Sequence, residues 1–233
     1  MVRRVSAGDQ AAGDAVTRAD RLRAGAALLP PGGPVLDVGC GDGSLALHVR
    51  GRPRVIAGVD GDAARCLAAR RRGIAAVCAD LDAAPLPYRD GVFAAAACLD
   101  VVEHVLDPRR LLREIARVLR PDGVLVLTTP NIRFYPFVLS LLRGRFPRTG
   151  GPDDETGGWD GGHLHYFTFA DVESLVRACG FARVEAFGLY RWTALTRWGR
   201  VKEAIKALLG DRLKREFFSG AVVVRATRAA AAP

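Results

Sequence analysis

The strongest constraint on this chain is a rhythm. Five short apolar runs, Val35–Val38, 54–59, 74–79, 92–98 and 124–129, alternate with stretches of helical periodicity. Short apolar runs suit strands buried on both faces, and strands separated by helices predict a parallel sheet with crossover helices. Helices are predicted over 14–29, from the glycine-rich loop after the first strand through about Val49, over 62–72, and from Pro108 to Leu119. Asp107 supplies an N-cap oxygen there, and Pro108 takes the first helical position, where a missing N–H costs nothing. Pro30-Pro31-Gly32-Gly33 stops the first helix, and Arg120-Pro121-Asp122-Gly123 turns the chain into the fifth strand. After Pro130 the rhythm breaks into a long connection, 131–167, rich in aromatics, Gly and Pro. Thr168 then caps a helix that ends at Cys179-Gly180, and Phe181–Leu189 and 221–227 read as two final strands. The fold class is α/β, a doubly wound and mostly parallel sheet.

With 233 residues, 49% of them hydrophobic, the chain can bury one α/β core, and two full domains would be cramped. One domain is expected over 1–233. It carries an N-terminal arm and helix at 1–30, a lid insertion at 131–167 and a basic amphipathic insertion at 190–219. No apolar run reaches the roughly 18–20 residues of a membrane span, and no apolar segment follows Arg3-Arg4 to make a secretory signal. Cys40, Cys66, Cys78, Cys98 and Cys179 are odd in number and lack CxxC spacing, so a reducing cytoplasm is the expected compartment. The net charge of +9 permits an acidic partner, whether nucleic acid, membrane surface or anionic substrate, and requires none. Only Lys202, Lys206 and Lys214 are lysines among 34 basic residues.

The chemistry sits at the strand ends. Gly39-Cys40-Gly41-Asp42-Gly43 follows the first strand and opens a helix, where glycines allow close approach of a ligand and helix N–H groups face an anion. A dinucleotide loop would carry its third glycine at position 44, which is Ser44; here it is Gly43, and Asp37 precedes the loop. The second strand ends Gly58-Val59-Asp60-Gly61, placing a carboxylate where it can accept from both hydroxyls of a ribose. Asp62 already serves as the next helix cap. The third strand ends Ala79-Asp80-Leu81, where a carboxylate can accept from an adenine amino group and a main-chain N–H can meet a ring nitrogen.

On these residues the chain resembles the class I S-adenosylmethionine-dependent methyltransferases, through VLDVGCGDG, GVD, ADLDAAPLP and CLDVVEHVLDPRRLLREIARVLRPDGVLVLTTPN, over about residues 20–190. The resemblance implies a seven-stranded sheet ordered 3-2-1-4-5-7-6 with the last strand antiparallel, and S-adenosyl-L-methionine as cofactor. It places Asp37, Gly39, Cys40 and Gly41 around the methionine part, Asp60 and Gly61 at the ribose, Asp80 and Leu81 at the adenine, and Cys98 and Leu99 beside the sulfonium. A sulfonium is a cation, and no Lys or Arg occurs from Val35 to Val49.

The end of the fourth strand bears on the acceptor. Base-amino methylation commonly uses an Asn/Asp-Pro-Pro-aromatic tip and pyrimidine carbon methylation a Pro-Cys nucleophile. Here the tip reads Cys98-Leu99-Asp100-Val101-Val102-Glu103-His104, so nucleic acid is not the favoured substrate. The stretch resembles the ubiquinone-biosynthesis O-methyltransferases and their small-molecule relatives, and a small-molecule hydroxyl is the expected acceptor. His104 is the leading base, since imidazole titrates near neutrality. Asp100, Glu103 and His104 offer ligands for a divalent cation, though the reading assigns no metal. His163 and His165 lie two apart in an element resembling H-x-x-x-F-T, so in an extended segment they point the same way, and one of them is expected to face the site. The apolar stretch 134–142 and the segment 195–218, seven basic against three acidic residues, are read as a lid over the site, with weak peripheral membrane contact as the lesser alternative.

Overall fold

The computed structural model describes residues 16–49, 55–83, 85–150, 159–190 and 210–229. Its elements run α1 (Arg18–Leu28), β1 (Val35–Val38), α2 (Leu45–His48), β2 (Ile56–Asp60), α3 (Ala63–Arg71), β3 (Ala75–Cys78), β4 (Phe93–Leu99), α4 (Pro108–Val118), β5 (Leu119–Pro130), α5 (Tyr135–Leu142), a 3₁₀ turn (Trp159–Gly162), α6 (Phe169–Ala178), β6 (Phe181–Leu189), α7 (Asp211–Phe218) and β7 (Ala221–Arg228). The sheet order is β3-β2-β1-β4-β5-β7-β6, as expected. β1 to β5 pair in parallel, and β7 runs antiparallel to both β5 and β6.

Side-chain alternation explains why the central strands read as continuous apolar runs. Val35, Ala95, Ala97, Val124 and Val126 face α1 and α2. Leu36, Val38, Ala96, Cys98, Leu125 and Leu127 face α4 and α6. Both faces are covered, so neither needs polar residues. α4 buries Leu111, Leu112, Ile115 and Val118, a stripe of helical spacing, each side chain contributing roughly 1.5–3 kcal/mol by leaving water.

The helix starts follow local chemistry. Thr17 and Asp20 form a reciprocal capping box on α1, as do Thr168 and Asp171 on α6. Asp62 accepts from the Ala64 and Arg65 amides, and Asp107 from that of Arg110. The structure departs from expectation in three places. The helix after the glycine loop is one turn, Leu45–His48. The turn at Arg120–Gly123 lies inside a longer β5 whose first residue already pairs with Phe93 before the register shifts, with Asp122 at φ 58°. The connection after Pro130 contains a helix, α5. Of the basic amphipathic segment, 191–209 lies outside the described residues, and its last part forms α7. No helix among the described residues is long and apolar enough to cross a membrane. All five cysteines are free thiols.

Candidate cofactor pocket and active site

Parallel strands place their carboxyl ends on one edge of the sheet, where ligands of open α/β sheets bind. At that edge a cavity of about 650 Å³ is lined by Asp37, Gly39, Cys40, Gly41, Asp60, Gly61, Asp80, Leu81, Leu99, His104 and His163, among others. Of the residues expected around the cofactor, Cys98 alone is turned away. Its thiol is fully buried in the core, leaving its neighbour Leu99 to form the wall.

The floor is made by left-handed backbone that favours glycine, and at Gly39 a close approach adds to the requirement. Gly39 has φ 69°, and a Cβ there would lie 2.4 Å from Val101 Cγ2. Gly41 has φ 53°, and a Cβ would meet the Arg18 guanidinium at 2.9 Å. Asp60 stitches the loop to β2: Oδ2 accepts from the Gly41 amide at 2.8 Å and Oδ1 from the Asp62 amide at 2.9 Å. Each oxygen keeps a lone pair for a further donor. Asp37 is buried, and that burial pushes its carboxyl up to about 7, with Arg18 opposing the shift and Asp60 and Asp42 adding to it. On the far side Asp80 is exposed and accepts from the Asp82 amide. The Leu81 carbonyl accepts from the Arg110 guanidinium.

Sequence reasoning missed the arginines. The glycine loop itself has none, but Arg18 and Arg21 of α1 and Arg65 of α3 line the same cavity. Arg18 lies 3.8 Å from Asp42. Arg21 donates through Nε to Asp100 Oδ2 at 2.5 Å and through a terminal N–H to the Val16 carbonyl at 3.1 Å. Asp100 also accepts from the Thr128 hydroxyl at 2.9 Å and holds a left-handed backbone, φ 56°.

His104 sits in a turn before α4, not on the helix. Its Nδ1 lies 3.3 Å from the Gly162 carbonyl; a carbonyl only accepts, so Nδ1 donates, and in the neutral ring Nε2 then carries the lone pair. The Leu164 and His165 amides donate to the Glu103 carbonyl at 2.7 and 3.1 Å, drawing the 163–165 segment against this turn. The His104 and His163 rings therefore meet edge to face, 4.6 Å between centroids. His163 Nδ1 is 2.5 Å from the Thr149 hydroxyl, which itself donates to the buried Asp160 at 2.7 Å. The hydroxyl's proton is thereby committed, so it accepts from Nδ1–H and Nε2 is again free. Burial, then the neighbouring His104, holds the His163 imidazole below its ordinary range. His165 does not line this cavity. Its ring nitrogen lies 3.0 Å from the Val105 carbonyl, and it borders a separate cavity of about 610 Å³ beside α4 and α6.

Glu103 completes the cluster. It is 1% exposed, and among the described residues neither carboxylate oxygen accepts or donates a hydrogen bond of full geometry; burial, then Asp100, raises it well above the usual carboxylate range, with the nearby Thr129 side chain opposing that rise. One ligand atom each from Glu103, His104 and His163 lies within 4.8 Å of the others. These three could hold a divalent ion with imidazole and carboxylate preferences. Asp100, which the sequence suggested as a ligand, is instead committed to Arg21 and Thr128.

A family profile described as a methyltransferase domain matches residues 11–186. An uncharacterized methyltransferase of a Mycobacterium species (strain JLS) is 34% identical over 110 residues, 47% of this chain and 44% of that protein. A ubiquinone biosynthesis O-methyltransferase of Xanthomonas campestris is 31% identical over 140 residues, 55% of each chain. The matches thus span about half the length of the curated relatives. Among solved structures, an S-adenosylmethionine-dependent methyltransferase of Thermotoga maritima superposes with a TM-score of 0.63 at 19% identity, covering 89% of this chain and 88% of that one. The chain belongs to the methyltransferase domain family, and it shares its fold with S-adenosylmethionine-dependent members.

Proposed function

We propose that the protein transfers a methyl group from S-adenosylmethionine to a hydroxyl oxygen of a small-molecule acceptor: a phenolic or quinone-like metabolite, a sugar, or a lipid-linked compound. The cofactor supplies an electrophilic methyl on a sulfonium. The residues fit it: Gly39, where a Cβ would clash with Val101, opens a cradle beside Gly41, and the cavity volume falls within the range of small-molecule sites. In this reading Asp37, Gly39, Cys40 and Gly41 hold the methionine part, with Arg18 as complement to its carboxylate. Asp60 and Gly61 take the ribose, Asp80 and Leu81 the adenine, and Leu99 the sulfonium side.

The observation that carries the reaction type is the pair of imidazoles at the pocket, each with Nδ1 engaged and Nε2 free. A hydroxyl acceptor has a proton to lose, and a neutral imidazole can take it. His104 is the base and His163 its buried neighbour; His165 is left an anchoring role. This pair argues against a purely regulatory cofactor-binding partner, which would need neither ring. Its rival as an RNA methyltransferase rests on net charge alone. A second reading assigns a divalent ion to Glu103, His104 and His163, favoured by the two unpartnered Glu103 oxygens.

The test is formation of demethylated cofactor across phenols, sugars and lipid extracts, with wild type and His104→Ala. We expect kcat to fall roughly 10²–10⁴-fold in the variant with cofactor affinity unchanged. Normal turnover in a folded His104→Ala protein removes the base assignment. Failure of the wild type to bind S-adenosylmethionine removes the whole reading.

A further inference from the structure

The segment between the two pocket walls carries a surface that the transfer reaction does not use. α5 consists of seven apolar residues and Ser140, yet none of its residues is buried. Leu139, Leu141 and Leu142 are exposed, Leu142 at 78%, and Phe146 follows at 45%. The helix is not loose. The buried Phe134 ring packs edge-on against Tyr135 and Phe137, and Tyr135 packs against Phe218 of α7. Its far end is closed by a tight turn at Gly144 (φ 71°), with the Arg145 amide donating to the Ser140 carbonyl at 3.0 Å and the Ser140 hydroxyl to the Arg145 carbonyl at 3.1 Å.

Between 132 and 150 the charged residues are Arg133, Arg143, Arg145 and Arg148. Arg133 is paired with Glu216 at 3.1 Å, and Asp153, Asp154 and Glu155 follow in sequence outside the described residues. Arg143 and Arg145 are exposed on either side of the Gly144 turn. A short convex helix showing leucines and flanked by arginines complements an apolar layer under an anionic surface. A stable protein interface would need about 800 Å² on each side, far more than a few leucines at a tip present.

The position supplies a reason. Pro130 lies just before this segment and Thr149 and Gly150 just after it, and all three line the cofactor cavity. The two ends of this segment thus reach the cavity, and α5 with its turn is the stretch held between them. We propose that α5 and its arginine turn dock the pocket against an anionic membrane surface, from which a lipid-soluble acceptor enters. The membrane contact stands on the surface alone, while the acceptor's origin rests on the methyltransferase reading above.

The experiment is co-sedimentation of the full chain with vesicles of phosphatidylcholine alone or mixed with phosphatidylglycerol, in about 0.1 M and about 1 M salt, which shortens the screening length from about 10 to about 3 Å. Parallel calorimetry measures S-adenosylhomocysteine binding. Wild type should pellet with the anionic vesicles and be released by salt. R143Q/R145Q should weaken binding by roughly fivefold for each arginine removed. L139Q/L142Q should weaken it as well, and both variants should bind S-adenosylhomocysteine like wild type. No pelleting with anionic vesicles, equal pelleting with neutral ones, or undiminished pelleting of both variants overturns the docking proposal. So does a self-associated form that L139Q/L142Q dissociates while vesicles bind nothing. Loss of S-adenosylhomocysteine binding by wild type strikes the methyltransferase reading instead and leaves the vesicle result standing.

Discussion

Arg21 on α1 and Asp100 at the tip of β4 form an ion pair of 2.5 Å, each side chain less than one-fifth exposed. It pins the first helix to the strand end that carries the candidate base. Asp100 is held from the other side by Thr128, and the left-handed backbone at Asp100 survives because both contacts determine it. Arg21→Ala leaves a largely buried carboxylate with Thr128 as its remaining side-chain partner. We expect it to cost about 1–3 kcal/mol, lowering the thermal midpoint by several degrees in a chain of this size. Cofactor affinity should fall too, since α1 forms one wall. Arg21→Lys should restore little, because an ammonium cannot serve Asp100 and the Val16 carbonyl in the same fork. Differential scanning calorimetry and titration calorimetry read the two effects. A variant with unchanged midpoint would show the pair to be incidental.

Asp37 predicts a pH dependence. Its buried carboxyl is raised to about 7, so in the empty protein it is protonated below that pH, whereas the unfolded chain ionises near 4. Between those values unfolding releases a proton, so stability falls as pH rises through the window and levels off above about 7. The full effect is on the order of 4 kcal/mol. Asp37→Asn should remove this slope and stabilise the empty protein at pH 8. It should also weaken binding of the cationic cofactor, most of all at pH 8, where wild-type Asp37 is charged. Denaturant melts from pH 4 to 8 measure the first effect. A slope that persists in Asp37→Asn assigns it to another group.

The Thr149 hydroxyl links His163 to Asp160, and this is a positioning role. Thr149→Val removes the acceptor that holds Nδ1–H and lets the ring turn or change tautomer. His163 packs edge to face against the candidate base His104, so turning its ring displaces the base's neighbour, and small misplacements beside the reacting atoms can cost orders of magnitude in rate. We expect kcat to fall at least about tenfold while KM for the cofactor holds, with Thr149→Ser recovering most of the loss. Equal changes in kcat and KM would mean that the loop, and not the proton, had moved.

The frame of this protein is legible in the chain because it is local. Strand runs, caps at Asp62 and Asp107, and carboxylates at Asp37, Asp60 and Asp80 are each written within a few residues of their structural cause, and the sheet order came with the family resemblance. What stayed hidden is contact across sequence. Nothing near Arg18 or Arg21 announces that α1 folds over the glycine loop, because helical periodicity gives a face but not its partner. Asp160 and Thr149 look like ordinary loop residues until the turn at Glu103 draws His163 beside His104. Asp100 stands beside Glu103 and His104 in sequence, yet its backbone turns it to Arg21 and Thr128, and it is His163 whose ligand atom lies near those of Glu103 and His104.

Glu103 gives the last prediction, because its two unpartnered oxygens separate the metal-free and metal-bound readings. In chelator, its carboxyl is protonated well above the ordinary range, held there by burial first and by Asp100 second. Stability should then decline as pH rises toward its folded value, since the unfolded chain ionises this group readily and the folded chain does not. Glu103→Gln keeps the shape without the ionisation. It should match wild type near pH 5 and melt higher at alkaline pH. With zinc or manganese at about a hundredfold excess over the dissociation constant, a site built from Glu103, His104 and His163 would raise wild-type stability by about 2.7 kcal/mol. Glu103→Gln, offering a weak neutral oxygen, would lose most of that gain, and His163→Ala would lose it as well. A metal-induced shift that survives both substitutions places the ion elsewhere. No shift in wild type leaves the cluster to proton transfer, with Glu103 a buried carboxyl beside it.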